Sequence, residues 1–330
     1  MSAHSFGRAA AMVVGLGALG GAGALVGARV EAEAFILRRV TAPVLPVGAR
    51  PLRVLQVTDL HLTPGDRRRV AWTRGLAALE PDLVVDTGDN LAHPDAVPTV
   101  LEALGSLVAV PGVFVFGSND YFAPRWKNPL GYFRGPSRTR TTVAATLPTE
   151  ELRRELAAAG WLDLNNHRAR MDLLGQPISF VGMDDPHVRK DRMPAPEHQT
   201  EVPGVVADDL RIGVVHAPYL RALDALVADG SDLLLAGHTH GGQVCLPFAG
   251  ALVTNCDLPR RYAKGLHTWT RQPGRGGGAE PPARPASRRE HPLLHVSAGL
   301  GTSPYARIRL FCRPEATLLT LVPTDYPIDA

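Results

Sequence analysis

Short apolar runs recur along the chain, and each hands over to a polar loop. Arg53–Val57 runs into Thr58-Asp59-Leu60-His61, and Pro81–Val85 into Asp86-Thr87-Gly88-Asp89. Val113–Phe116 runs into Gly117-Ser118-Asn119-Asp120, Arg211–Val215 into His216, and Asp232–Ala236 into Gly237-His238-Thr239-His240-Gly241-Gly242-Gln243. Short apolar runs bounded by turn residues predict buried strands. Helical periodicity separates them. Asp95–Val108 places Val97, Val100, Leu101, Leu104 and Val108 on one face. Glu150–Ala159 and Arg221–Asp229 are predicted helices stopped by Gly160 and Gly230. Trp161–Met183 reads as paired strands, Ala316–Val322 as a last strand, and Val40–Leu52 as a Pro-containing extended lead-in. Alternating strands and helices with some antiparallel pairing imply a layered α/β sandwich. Arg271–Pro292 and His187–Pro203 read as loops, the first rich in Gly, Pro and Arg and expected to be mobile.

The residues that close the strands carry the chemistry. Asp59 and His61, like His238 and His240, stand at i and i+2, which puts both side chains on one face of an extended segment. The glycines around His238 and His240 permit a sharp turn and close approach to a ligand. Neutral imidazole is the commonest nitrogen donor to transition metals. Read singly, each residue has an ordinary structural alternative. Asp59 could precede a helix, Asp89 could serve a turn with Gly88, His216 could be a satisfied core histidine, and His238 and His240 could be solvated. Five units in order, all ending in oxygen or imidazole donors, argue instead for one crevice at the strand ends.

The series Asp59-Leu60-His61, Gly88-Asp89, Asn119-Asp120, His216 and Gly237-His238-Thr239-His240 resembles the motif set of the calcineurin-like metallophosphoesterases. The Gly-Gly-Gln that follows, with Ser297–Gly301 and Arg307–Arg309, resembles the bacterial membrane-associated or exported branch. The resemblance implies a four-layer α/β/β/α sandwich and a binuclear centre of divalent ions (Mn, Fe or Zn). In it Asp59, His61 and His240 hold one metal, Asn119, His216 and His238 the other, and Asp89 bridges both. Two metals about 3.5–4 Å apart with a bridging hydroxide suit in-line attack on phosphorus. The implied activity is hydrolysis of a phosphodiester, pyrophosphate or phosphomonoester.

One motif departs from the family, which usually reads Gly-Asn-His-Asp or Gly-Asn-His-Glu, with Asn a ligand and His the proton donor. Here the chain reads Gly117-Ser118-Asn119-Asp120. Either Ser118 replaces the ligand and Asn119 the His, or Asn119 is the ligand and Asp120 takes the His position as catalytic acid. The second register is preferred, because an amide oxygen binds metal far better than a neutral hydroxyl. The missing His also motivates an alternative, a scaffold of this fold with weakened turnover. Arg307 and Arg309 read as phosphate contacts or as solvated strand flanks.

Composition adds bounds. The 330 residues suit one large domain with an appendage: an N-terminal segment over 1–46 and the metallophosphoesterase domain over 47–325. The formal charge of +3 and the lack of a clustered basic helix argue against a nuclease of this fold and against nucleic acid as partner. Cys245, Cys256 and Cys312 have neither metal spacing nor an even count, so they read as buried or free thiols. Ala9–Ala28 carries no charge and is long enough for one transmembrane helix. Ala32-Glu33-Ala34 offers a signal-peptide alternative; an uncleaved anchor is favoured because Arg29 and Glu31 intervene. Arg29, Arg38 and Arg39 after the segment, against Arg8 before it, lean toward a cytoplasmic catalytic domain. The exported relatives lean the other way. A lipid-linked or cell-envelope phosphoester is the substrate that the anchor suggests.

Overall fold

The computed structural model describes residues 23–126, 145–195, 210–270 and 291–327. Most of the predicted anchor and all but two residues of the 271–292 loop lie outside them. Among the described residues no helix is long and apolar enough to cross a membrane. A helix covers residues 23–31.

Two six-stranded sheets stack face to face. The first holds β1 (Ile36–Leu45), β2 (Leu52–Val57), β3 (Leu83–Asp86), β4 (Gly112–Phe114), β5 (Leu162–Asp163) and β14 (Glu315–Pro323), in the order β1-β14-β2-β3-β4-β5. The second holds β6 (Arg168–Leu173), β7 (Gln176–Met183), β8 (Leu210–Val215), β9 (Leu233–Ala236), β12 (Gly265–Thr268) and β13 (Leu293–Val296), in the order β12-β13-β9-β8-β7-β6. A small hairpin, β10 (Cys245–Leu246) and β11 (Gly250–Ala251), stands apart.

Period-two alternation explains the layering. Val54, Val85 and Val113 face Phe180, Ile212 and Leu235 between the sheets. Their neighbours Leu55, Val84 and Phe114 face outward, under α1 (Arg67–Gly75), α2 (Val97–Leu104) and α4 (Thr149–Ala158). Val215, Leu234 and Val296 face α5 (Leu220–Ala228) on the other side. The short α3 (Ser118–Tyr121) follows β4. The predicted helices are found, with Gly160 and Gly230 at φ of 91° and 90°, left-handed positions that glycine tolerates. The last turn of the Asp95–Val108 helix tightens into a 3₁₀ turn over Gly105–Ala109.

Two segments differ from the expectation. The lead-in is a sheet strand: β1 runs parallel to β14 from Ile36 opposite Glu315 to Leu45 opposite Pro323, with Ala42, Val44 and Leu45 buried. Pro43 masks this in the sequence, yet an edge strand tolerates proline. Trp161–Met183 is split between sheets. β6 and β7 form an antiparallel hairpin, while β5 joins β4 in the other sheet. The three cysteines are buried and free.

Strands β2, β3 and β4 are parallel, as are β7, β8, β9 and β13. Their carboxyl ends therefore open on one edge of the sandwich. A buried polar bridge ties the sheets there: Gln56 Nε2 donates to the Ala236 carbonyl (2.9 Å), and His295 Nδ1 meets Gln56 Oε1 (2.6 Å).

Candidate metal centre

Five of the predicted ligands, Asp59, His61, Asp89, His238 and His240, have φ between 43° and 69°. Left-handed backbone in non-glycine residues is uncommon, and strain of this kind gathers at functional sites. Here it turns each side chain back over the strand end that delivers it. The glycines between them leave room. A Cβ on Gly117 would stand 2.2 Å from Asp89 Oδ1, and one on Gly237 would stand 2.1 Å from Thr58 Oγ1.

The side chains converge. Asp89 lies between two imidazoles, with His61 Nε2 3.5 Å from Oδ2 and His216 Nε2 3.4 Å from Oδ1. His61 and His240 Nε2 lie 3.8 and 3.6 Å from Asp59 Oδ1. Two tight groups of potential ligand atoms result, Asp59 with His61 and His240, and Asp59 with Asp89 and His216. Asn119 joins them at Asp89, its backbone N–H donating to Oδ1 (2.7 Å) and its side-chain amide lying 2.6 Å from Oδ2. His238 stands outside the tight groups, its ring 5.2 Å from that of His216.

Neighbouring carbonyls set the ring orientations. His216 Nδ1 lies 2.7 Å from the Thr87 carbonyl, and His238 Nε2 lies 3.2 Å from the Asn255 carbonyl. A carbonyl only accepts, so those nitrogens carry protons; Nδ1 of the neutral His238 keeps a lone pair, and Nε2 of His216 offers one once the proton that Asp89 favours there has left. Such outer contacts commonly orient metal-binding histidines. Arg309, wholly buried, backs His240: it donates to the His240, Gly299 and Gly301 carbonyls and reaches His240 Nδ1.

The electrostatics fit a cation. Asp59 Oδ1, both His61 ring nitrogens and His216 Nε2 are buried with no hydrogen-bond partner. Asp59, Asp86, Asp89, Asp120 and Asp185 are all nearly or fully buried, and among the described residues none pairs with a Lys or Arg. Burial pushes Asp59 up to about 6, and Asp86 and Asp185 up to about 7. Burial also raises Asp89, but the His216 charge outweighs it and holds Asp89 well below the ordinary carboxylate value. Burial opposes the His216 cation, yet Asp89 and Asp59 raise it. Burial lowers His61 to about 4 and holds His238 and His240 well below their ordinary value, keeping all three neutral and able to ligate. Oxygen and imidazole donors without thiolate suit first-row divalent ions.

Asp120, expected as the proton donor, is held in a cradle of backbone N–H groups. It is fully buried. Oδ2 accepts from the N–H groups of Asp89 (2.7 Å) and Gly117 (2.9 Å), and Oδ1 from those of Asn90 (2.8 Å) and Leu91 (3.3 Å). Burial and the neighbouring Asp89 and Asp86 carboxylates push its carboxyl up, while the N–H donors pull the other way. It shapes the loop that carries Asp89. Of the two tail arginines, Arg309 is buried behind His240, and Arg307 pairs with Asp66 at 3.6 Å. Tyr121 is an interior residue whose hydroxyl meets Asp184; Trp126 is exposed.

His187 escaped the sequence reading. Its ring lies 4.7 Å from that of His238, and its Nδ1 is 3.0 Å from the Tyr219 hydroxyl. The signal was available: β7 ends at Met183 and hands over to Asp184-Asp185-Pro186-His187, a sixth strand-then-donor unit. Nothing in the sequence signals the burial of Arg309, which depends on distant loops.

Imidazole and carboxylate donors gathered where two sheets open define a metal-dependent hydrolase site. The sequence profile of the calcineurin-like phosphoesterase family matches residues 52–242, and the chain belongs to that family. It is 26% identical over 297 residues to the uncharacterized metallophosphoesterase YkuE of Bacillus subtilis (strain 168), covering 87% of this chain and 84% of that protein. It is 24% identical over 282 residues to the phosphodiesterase YaeI of Escherichia coli (strain K12), covering 83% of each. It is 25% identical over 306 residues to the UDP-2,3-diacylglucosamine pyrophosphatase LpxG of Chlamydia trachomatis, covering 81% of this chain and 83% of that protein. The protein is a hydrolase acting on phosphoester bonds.

Proposed function

We propose that hydrolysis runs at a binuclear centre of divalent transition-metal ions, with a phosphodiester or pyrophosphate as substrate. Asp59, His61 and His240 would hold one ion, Asn119, His216 and His238 the other, with Asp89 shared. The carrying observation is the convergence of ligand atoms from Asp59, His61, Asp89, His216 and His240 into two tight groups. Bound there, the ions supply Lewis acidity toward the phosphoryl oxygens and acidify the attacking water. The chain's own part is positioning. Thr87 and Asn255 fix two imidazoles, Arg309 backs a third, and Asp120 holds the Asp89 loop. The names of the phosphodiesterase and pyrophosphatase relatives support the substrate class. The uncharged Ala9–Ala28 segment supports a chain held at a membrane and a lipid-linked or cell-envelope phosphoester.

The test is metal-dependent turnover of a chromogenic phosphodiester. Wild type stripped with chelator should be inactive and should recover with Mn²⁺ or Zn²⁺. Asp89→Asn should lose about 10²–10³-fold, the scale on which a pre-organised charge acts. Equal rates in the two chains would refute the reading. Metal bound without turnover would instead favour the scaffold that the altered Gly117-Ser118-Asn119-Asp120 motif suggests.

A further inference from the structure

We propose that a face built from the 23–31 helix, the β10–β11 hairpin and the 309–312 loop seats on an anionic lipid bilayer. Leu25, Val26 and Val30 on the helix are each more than 60% exposed, and Leu246 and Phe248 on the hairpin and Phe311 on the loop are 48%, 110% and 58% exposed. Monomeric proteins seldom gather so many large apolar side chains on adjoining segments without a partner for them.

The three segments form one surface. The Ala28 carbonyl accepts from the Arg309 N–H (2.9 Å), and the Glu31 carboxylate accepts from the N–H groups of Phe311 (2.9 Å) and Cys312 (2.6 Å). Val244 bridges Leu310, and the Cys245 N–H donates to the Leu310 carbonyl (2.9 Å). Helix, loop and hairpin therefore lie side by side, held by backbone hydrogen bonds and by the Glu31 carboxylate.

The two phenylalanines show that this exposure is built. Phe248 has φ of 65° and Phe311 of 52°. Left-handed backbone is a real outlier for a bulky residue, and glycine or asparagine would meet either turn more readily. Each turn instead keeps an aromatic ring in solvent. Held conformations of this kind persist where the surroundings over-determine them.

Three observations select a bilayer as the occupant. The helix is the direct continuation of Ala9–Ala22, an uncharged apolar sequence, so the face starts where that sequence ends. Arg29 and Arg313 are exposed beside the apolar residues, matching a headgroup layer that attracts Lys and Arg. Aromatic and aliphatic side chains with basic neighbours are also the composition of surfaces that enter the headgroup–acyl boundary. The same hairpin and loop pack behind the His240 turn, where Cys312 Sγ lies 3.3 Å from the His240 carbonyl. A seated bilayer would thus lie one loop away from the centre.

The test uses the full chain with one environment-sensitive fluorophore, attached through Phe248→Cys, Phe311→Cys or Leu174→Cys. Leu174 is 52% exposed in the β6–β7 turn, at the opposite end of β7 from the site. The three native cysteines are buried, so labelling is directed to the new thiol. Each protein is mixed with phosphatidylcholine–phosphatidylglycerol vesicles with and without nitroxide lipid. Probes at 248 and 311 should shift to the blue and lose emission to nitroxide lipid, while the probe at 174 should do neither. Probes at 248 and 311 that behave like 174 on vesicle-bound chain would overturn the proposal, as would failure of the chain to bind vesicles. A shift at 248 that needs no lipid and grows with protein concentration would overturn it too, assigning the face to a second copy. None of these readouts depends on turnover, so failure of the hydrolysis reading is separately visible.

Discussion

Replacing Asp120 with Asn separates a structural carboxylate from a catalytic acid. The aspartate receives four backbone N–H groups, two at each oxygen. Asn presents one oxygen and one NH₂, so two of those donors would face another donor. A buried donor left unsatisfied costs about 1–3 kcal/mol, which puts the loss at about 2–6 kcal/mol. Folded domains are stable by about 5–15 kcal/mol, so the effect is large. Its focus is the Asp89–Leu91 loop, and Asp89 stands between His61 and His216. Asp120→Asn should therefore lower the urea unfolding midpoint and weaken metal binding measured by calorimetry, with turnover lost in proportion to bound metal. An unchanged midpoint and unchanged metal affinity, with a rate defect confined to substrates carrying poor leaving groups, would refute this reasoning. Proton donation by Asp120 would then be restored.

Two further outcomes follow from particular contacts. Gly237→Ala places a methyl 2.1 Å from Thr58 Oγ1 and 2.7 Å from Asp59 Oδ2. Overpacking of that kind costs about 1–3 kcal/mol, so both the melting temperature and metal affinity should fall; wild-type values for both would show that the loop has slack. His295 is fully buried, and burial lowers it to about 3, below its ordinary 6.5. Between those values the unfolded chain takes up a proton that the folded chain refuses, so stability falls as pH drops below about 6.5 and levels off near 3. At pH 5 the loss from this group is about 2 kcal/mol. His295→Gln should flatten the stability difference between pH 7 and pH 5 by that amount in urea titrations, and an unaltered difference would refute it.

The order of strands and their closing donors was legible because both are local. A strand buried on two faces must be apolar throughout, so Leu233–Ala236 and Arg211–Val215 stand out against any loop. The turn after each strand must then supply the polar residue, and that logic with the family resemblance pointed to Asp59, His61, Asp89, Asn119, His216, His238 and His240, of which Asp59, His61, Asp89, His216 and His240 form the tight groups. Tertiary structure decided matters that depend on distance across the chain. Ile36–Leu45 becomes a strand only because the tail at Glu315–Pro323 lies beside it. Asp120 is locked in place because four N–H groups converge on it from the 89–91 loop and Gly117. Arg309 is buried because carbonyls from His240, Gly299 and Gly301 surround it. Sequence specifies which groups are chemically able to act; the partners that consume or free their lone pairs arrive from elsewhere in the chain, and only the packed sandwich settles which remain available.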